Sequence, residues 1–253
     1  GLARQGYRVI IASRDQAKSQ QVADEIKAEQ SSAEVEAMAL DLGDFTDIDR
    51  FAPLLLKSMP TIDVLILNAG LFTNGLRTVQ SGYEAMMGIM HFGHFRLFQK
   101  LQPAVEAAGQ ARIVVTSSMM HAVGNINEAS FSDPARHKTD IGAYGQAKLA
   151  NLLFARQLAK RLEGTGISVN AFHPGAVNTG IYDELPGPIR KFFGLFLISE
   201  EKGADTALWL ATSAEAGQYS GEYFVNRKLK RGSKNSRNMS LAQWLWEYSE
   251  ARM

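Results

Sequence analysis

Residues 63–70 read DVLILNAG, an unbroken apolar run that ends on asparagine, alanine and glycine. A strand with one wet face alternates apolar and polar residues. A run without alternation needs cover on both faces, as in a parallel sheet flanked by helices. The pattern recurs in both directions along the chain. RVIIA (8–12) and EVEAMAL (34–40) precede it, and RIVVTSS (112–118), ISVNAF (167–172) and GEYFV (221–225) follow. Helix-favouring stretches lie between: Asp15 to Glu29, Asp44 to Ser58 with Ile48, Phe51 and Leu55 at helical spacing, about Tyr83 to Ala107, and Ala143 to Leu162. Ser199 is placed to cap a further helix whose first turn carries Glu200 and Glu201, opposing the positive end of the dipole. Short strands alternating with helices predict an α/β fold, a doubly wound, Rossmann-like parallel sheet. No internal repeat or linker interrupts it, so a single domain is expected.

Composition narrows the function classes. The 253 residues are 45% apolar and 21% charged, ordinary for a soluble globular chain. A net charge of +1 provides no overall field to recruit nucleic acid. The absence of cysteine excludes disulfides, thiolate nucleophiles and cysteine-based zinc sites. FFGLFLI (192–198) is far too short to span a membrane.

An open parallel sheet binds ligands beyond the carboxyl ends of its strands. The residues there are Ser13 and Arg14, Asp41 and Leu42, Asn68 to Gly70, Ser117 and Ser118, and His173 to Gly175. They are small, polar or turn-forming, as a ligand-facing rim requires. In AYGQAKLAN (143–151), Tyr144 and Lys148 stand one helical turn apart. A tyrosine acts as a general acid near neutral pH only if its reference pKa of about 10 is lowered. A positive charge at about 4 Å is worth roughly 4 kcal/mol at an effective dielectric near 20, which is enough. Ser118 could donate a hydrogen bond to an oxygen developing negative charge.

With NAG (68–70), VTSS (115–118), YGQAK (144–148) and HPGAVNT (173–179) in this order, the chain resembles the short-chain dehydrogenase/reductase family. HFGHF (91–95), AKLANLLFARQLAKRL (147–162) and SEEKGADTAL (199–208) are similar to its retinol-dehydrogenase-like branch. The resemblance covers nearly all of residues 1–225. It implies Tyr144 as acid/base, Lys148 as modulator of that phenol and ligand of the nicotinamide ribose, and Ser118 as the group orienting the substrate oxygen. Asn68, Ala69 and Gly70 would line the adenosine-ribose side, and Asp41 with Leu42 the adenine. Pro174, Gly175, Val177 and Thr179 would border the carboxamide. NAD-binding folds usually hold the ribose 2′-hydroxyl with an acidic residue after the second strand, whereas an arginine there favours a 2′-phosphate. Here Ser13 stands in the acidic position and Arg14 follows, so NADP(H) is expected over NAD(H). Residues 1–226 then form the NADP(H)-binding domain, with 227–253 a basic segment and amphipathic helix of the same domain.

Two features depart from the family pattern. Its glycine-rich phosphate loop (TGxxxGxG after the first strand) is absent, and GLARQGYRV resembles the end of the first helix and the turn after it. The chain is therefore expected to start downstream of that strand and loop, and as given to bind the cofactor poorly. The missing strand would lie between EVEAMAL and DVLILNAG, at the centre of the sheet. Any targeting signal would precede Gly1, leaving a cytoplasmic and a membrane-associated location both open. The second departure is Met90, standing where the family commonly places an asparagine that supports the lysine through water. A thioether cannot replace an amide's donors and acceptor.

Other residues carry competing readings. His91 and His94 are three apart on a helix, but no third ligand accompanies them, and packing roles are expected. His121 either faces the substrate or is structural, and His173 shapes the turn before Pro174. Residues 182–198 occupy the family's substrate-lid position. There Phe192 and Phe193 suggest a bulky apolar substrate, or else bury against a helix, a membrane surface or a second subunit. RKLKRGSKNSRN (227–238) has six basic residues and no acidic one. The helix after it would start with a capping box of Ser240 and Gln243 and bring Leu241, Trp244, Leu245 and Tyr248 to one face. Docking on a membrane surface and packing on the body compete as its role. The expected activity is hydride transfer between NADP(H) and a small hydrophobic carbonyl or alcohol of retinoid-, steroid- or lipid-aldehyde-like character. A catalytically impaired dinucleotide-binding scaffold or redox sensor is the alternative.

Overall fold

The computed structural model describes residues 1–177 and 197–253. The chain opens with β1 (Val9–Ser13), α1 (Gln16–Glu29), β2 (Val35–Ala39), α2 (Phe45–Ser58) and β3 (Val64–Leu67). A continuous helical arm follows: α3 (Ala85–Met87), a π-helical turn (Gly88–Gly93) and α4 (His94–Ala107). Next come β4 (Arg112–Thr116), α5 (Asp140–Arg161), β5 (Ser168–His173), and the two-residue strands β6 (Ala176–Val177) and β7 (Leu197–Ile198). The chain continues through α6 (Glu200–Thr212), β8 (Tyr223–Val225), β9 (Lys228–Lys230) and α7 (Met239–Glu250). Among the described residues, no helix is long and apolar enough to cross a membrane.

Caps fall where short polar side chains can reach free N–H groups. Asp15 accepts from Lys18 N–H, Asp44 from Thr46 N–H and Ser199 from Lys202 N–H. Two helix starts differ from the sequence reading. Thr139 caps α5, so that helix begins at Asp140 rather than Ala143. Asn238, not Ser240, caps α7: its side-chain oxygen accepts the Leu241 N–H, so the helix starts at Met239.

Strands β3, β4, β5 and β8 pair in that order, all parallel, and β9 adds antiparallel to β8 at the edge. β1 and β2 form a separate parallel pair, with Val9 opposite Val35 and Ser13 opposite Ala39. The doubly wound α/β fold is thus present, with its sheet in two parts. The break separates the β1–β2 pair from β3. Ile10, Ile11, Val64, Leu65 and Ile66 are only half-buried, although strands inside a covered parallel sheet are normally sealed. Side chains bridge the two parts: Ile10 and Met38 pack on the same core as Leu67, Val115 and Val169.

α7 lies on the body. It buries Ala242, Leu245, Trp246 and Ser249, with Trp246 stacked on Phe154 at 5.8 Å and edge-on to Phe95 at 4.8 Å. Trp244, which the sequence places on the apolar face, is 37% exposed, whereas Trp246 is buried.

Candidate active site

The site is built where β4 ends. Thr116, Ser117 and Ser118 each hold a different neighbour. Thr116 Oγ1 donates to Asn68 Oδ1 at 2.8 Å, which joins the ends of β4 and β3. Ser117 Oγ donates to the Lys148 carbonyl at 2.8 Å, which fixes α5 to the strand. Ser118 caps the short 3₁₀ turn Met119–Ala122 and accepts the Met120 N–H at 3.2 Å through Oγ. That bond uses a lone pair and leaves the hydroxyl proton for another acceptor.

Two glycines bring this turn against α5. A Cβ on Gly124 would run into the carbonyl of Gly145, and one on Gly145 would lie 2.9 Å from the Met120 carbonyl. Backbones this close leave no room for a side chain. The approach sets the Ser118 turn directly beside the first turns of α5, next to Tyr144.

Tyr144 is half-buried, edge-on to Phe72 at 5.8 Å, and the Lys148 ammonium lies 5.6 Å from its ring centre. Lys148 is only 3% exposed and donates to the Thr116 carbonyl at 3.3 Å. Asn151 donates to the same carbonyl at 3.0 Å. Burial pushes the Lys148 ammonium down to about 8 from its usual range, since desolvation penalises the charged form.

The π-helical turn closes the other side. A Cβ on Gly70 would meet Lys148 Nζ at 3.2 Å and Met90 Sδ at 3.5 Å, so glycine is what lets the ammonium and the thioether approach the NAG turn. A Cβ on Gly93 would run into the Leu42 carbonyl, so the same turn also touches the end of β2. His94 donates from Nδ1 to the Met90 carbonyl at 2.8 Å, and His91 contacts Ser249 Oγ through Nε2 at 3.0 Å. Burial holds both rings neutral, His91 near 3 and His94 near 4, with the Lys148 charge adding to the second.

The structure thus sets Asn68 and Lys148 on Thr116 and Gly70 beside the Lys148 ammonium, with the Ser118 turn against α5 at Gly145 and Leu42 against Gly93. Asn68 and Ala69 are exposed and Gly70 half-buried, as rim residues should be. Ser13 ends β1 and bonds Ser19 Oγ at 2.6 Å, while Arg14 beyond it is exposed. Asp41 accepts the Gly43 N–H at 2.8 Å, which shapes the turn carrying Leu42. Pro174 is half-buried, and Gly175 takes φ +89°, a left-handed turn that glycine adopts without strain. His173, before them, is held neutral near 4, chiefly by burial, with the Lys148 charge adding to it. Val177 is the last residue of β6, while Thr179, Phe192 and Phe193 lie outside the described residues. His121 points inward, both ring nitrogens engaged by main-chain groups. Sequence reading missed Thr116, Asn151 and Gly145. Asn151 follows Lys148 by three and so shares its helix face, which is the available signal. An open cleft of about 870 Å³ lined by Arg156, Lys160, Leu229, Arg231 and Arg237 shares none of these residues.

Gly70's missing side chain, the buried ammonium beside it and the exposed asparagine fit a dinucleotide whose ribose hydroxyls need donors and acceptors at close range. An oxidoreductase that binds a nicotinamide dinucleotide is the class this fold and site define. The chain belongs to the short chain dehydrogenase family, whose model matches residues 1–187. It is 37% identical to mouse retinol dehydrogenase 12 over 250 residues, covering 98% of this chain and 79% of that protein. Against human retinol dehydrogenase 14 the identity is 34% over 268 residues, covering 98% and 80%. A crystal structure of an uncharacterised protein from Mycobacterium paratuberculosis superimposes with a TM-score of 0.77 at 30% identity, covering 99% of this chain and 85% of that one.

Proposed function

We propose that the protein is an NADP(H)-dependent alcohol dehydrogenase or carbonyl reductase acting on a hydrophobic carbonyl or alcohol. The observation that carries this reading is the buried Lys148 ammonium, held 5.6 Å from the Tyr144 ring with a main-chain carbonyl as its acceptor. A positive charge on this side of the ring favours the phenolate over the neutral phenol. A nicotinamide, when bound, supplies or accepts the hydride. In the reductive direction Tyr144 gives its proton to the oxygen that gains charge, and Lys148 steadies the phenolate left behind. Ser118 donates its free hydroxyl proton to the same oxygen and orients it. Lys148 has further N–H donors for the ribose hydroxyls; Asn68, Ala69 and Gly70 would line the adenosine side, with Asp41 and Leu42 at the adenine. Pro174, Gly175 and Val177 would border the carboxamide, the role the sequence also gives Thr179.

The exposed Arg14, with Ser13 in the place of an acid, supports a 2′-phosphate and so NADP(H). Replacing Arg14 by Ala should weaken NADPH binding at least tenfold and leave NADH nearly unchanged. An apolar substrate is supported by the names of the relatives and by the rim itself. Met119 and Val123, both 60% exposed, flank the turn after Ser118, and Ile141, 37% exposed, lies three residues before Tyr144. The deciding experiment follows NADPH oxidation by the full-length protein against a panel of apolar aldehydes and ketones, with Tyr144→Phe as control. The variant should lose turnover and keep nucleotide binding; near-wild-type turnover would refute the assignment.

Met90 favours a second reading. Its sulfur, 3.5 Å from the position a Gly70 Cβ would take, offers Lys148 no donor and only a weak acceptor. A dinucleotide-binding scaffold or sensor with impaired turnover would bind NADPH and leave every carbonyl of the panel unreduced.

A further inference from the structure

His121 is 4% exposed and lies edge-on to Tyr223, ring centres 5.0 Å apart. Its Nδ1 is 2.6 Å from the Ser118 carbonyl oxygen, and the Ser233 N–H donates to its Nε2 at 3.1 Å. An N–H must meet a lone pair, so Nε2 is the acceptor and Nδ1 carries the proton given to Ser118. The His121 main-chain N–H donates to the same carbonyl at 3.1 Å, closing a tight loop over the serine. The far anchor is itself fixed. Ser236 Oγ donates to the Ser233 carbonyl at 2.9 Å, and the buried Arg156 donates to the carbonyls of Arg231 and Ser236. A Cβ on Gly232 would meet Ser236 Oγ at 2.7 Å, so the segment folds tightly at that point.

We propose that His121 is a positioning residue, which braces the main chain of Ser118 against the C-terminal segment Arg231–Ser236 and so aims the serine hydroxyl. The proposal rests on the oxidoreductase reading of Ser118. It goes further by giving a role to a side chain and a basic segment that have none in that reading. The physical reason is leverage. Among the described residues, Ser118 Oγ is held by one bond, 3.2 Å from Met120 N–H, so its aim follows the main-chain path of residues 118–121. Small misplacements of a reacting group are costly, on the order of a hundredfold for 1 Å.

His121→Ala should lower kcat by about 10- to 100-fold while KM for nucleotide and substrate stays within about twofold, because neither touches the ring. His121→Gln retains one donor and one acceptor and should recover most of the rate. Ser233→Pro removes the N–H at the far anchor and should slow kcat similarly, with little further loss when combined with His121→Ala. Trypsin cleavage after Arg231 and Lys234 should be faster in His121→Ala than in wild type, a readout that needs no turnover. Wild-type kcat in the alanine variant, no recovery with glutamine, or unchanged cleavage would each overturn the proposal. A wild-type protein inert towards every carbonyl would instead sink the functional reading, and cleavage would still decide whether the brace exists.

Discussion

Lys148 donates its ammonium to the Thr116 carbonyl at 3.3 Å, and among the described residues no ion pair includes it. A buried cation held by a neutral acceptor favours catalysis and opposes stability. Desolvation lowers its pKa from 10.5 to about 8. The unfolded chain therefore binds more protons between pH 8 and 10.5, and stability rises with pH through that window. Below pH 8 the full cost applies, about 3 kcal/mol. Lys148→Met should thus abolish turnover yet increase urea stability at pH 7 by about 1–3 kcal/mol. A variant less stable than wild type would show that the charge is better compensated than its neighbours suggest.

The same group should appear in the rate. Tyr144 depends on a charged Lys148, so kcat/KM should fall as pH rises through about 8. Lys148→Arg keeps its charge to much higher pH and should remove that limb while lowering the plateau, because a guanidinium is larger than the space present. A flat profile from pH 7 to 9.5 in the wild type would contradict the assignment.

Gly145→Ala tests the close approach that sets the Ser118 turn against α5. Its Cβ would lie 2.9 Å from the Met120 carbonyl and 3.1 Å from Gly124 N, both main-chain atoms that cannot swing aside. The expected cost is about 1–3 kcal/mol of stability, together with at least tenfold in kcat. Chemical denaturation and steady-state assays read the two effects separately. Unchanged kcat with lowered stability would show that the approach serves packing alone.

Met90→Asn would place an amide beside Gly70 and the Lys148 ammonium. If proton supply to Lys148 limits the reaction, turnover should rise several-fold in a steady-state assay. An unchanged rate would argue that the thioether imposes no penalty.

Much of this architecture is local and therefore readable. The apolar runs found β1 to β5 and β8, and Asp15, Asp44 and Ser199 announced their helices. What escaped depends on distant contacts. The π-helical turn is shaped by Leu42 and Gly70, far away in sequence, and β9 exists because β8 is there to pair with. Trp246 is buried because Phe95 and Phe154, distant in sequence, offer it a slot. At the site, Tyr144, Lys148 and Ser118 carry side chains whose chemistry advertises itself. Thr116 acts largely through its carbonyl, which any residue would have presented. His121 could be noticed but not assigned, since its partner Ser233 lies 112 residues on.

The two-part sheet has a thermodynamic corollary. Arg14 rides on one ladder and Lys148 packs against the other, and among the described residues no strand pairing joins the two. Weakly joined halves open at different free energies, so amide exchange should resolve β1–β2 as an earlier-melting unit than β3–β5. A molecule gripping both halves at once would act as mortar, merging two melting steps into one.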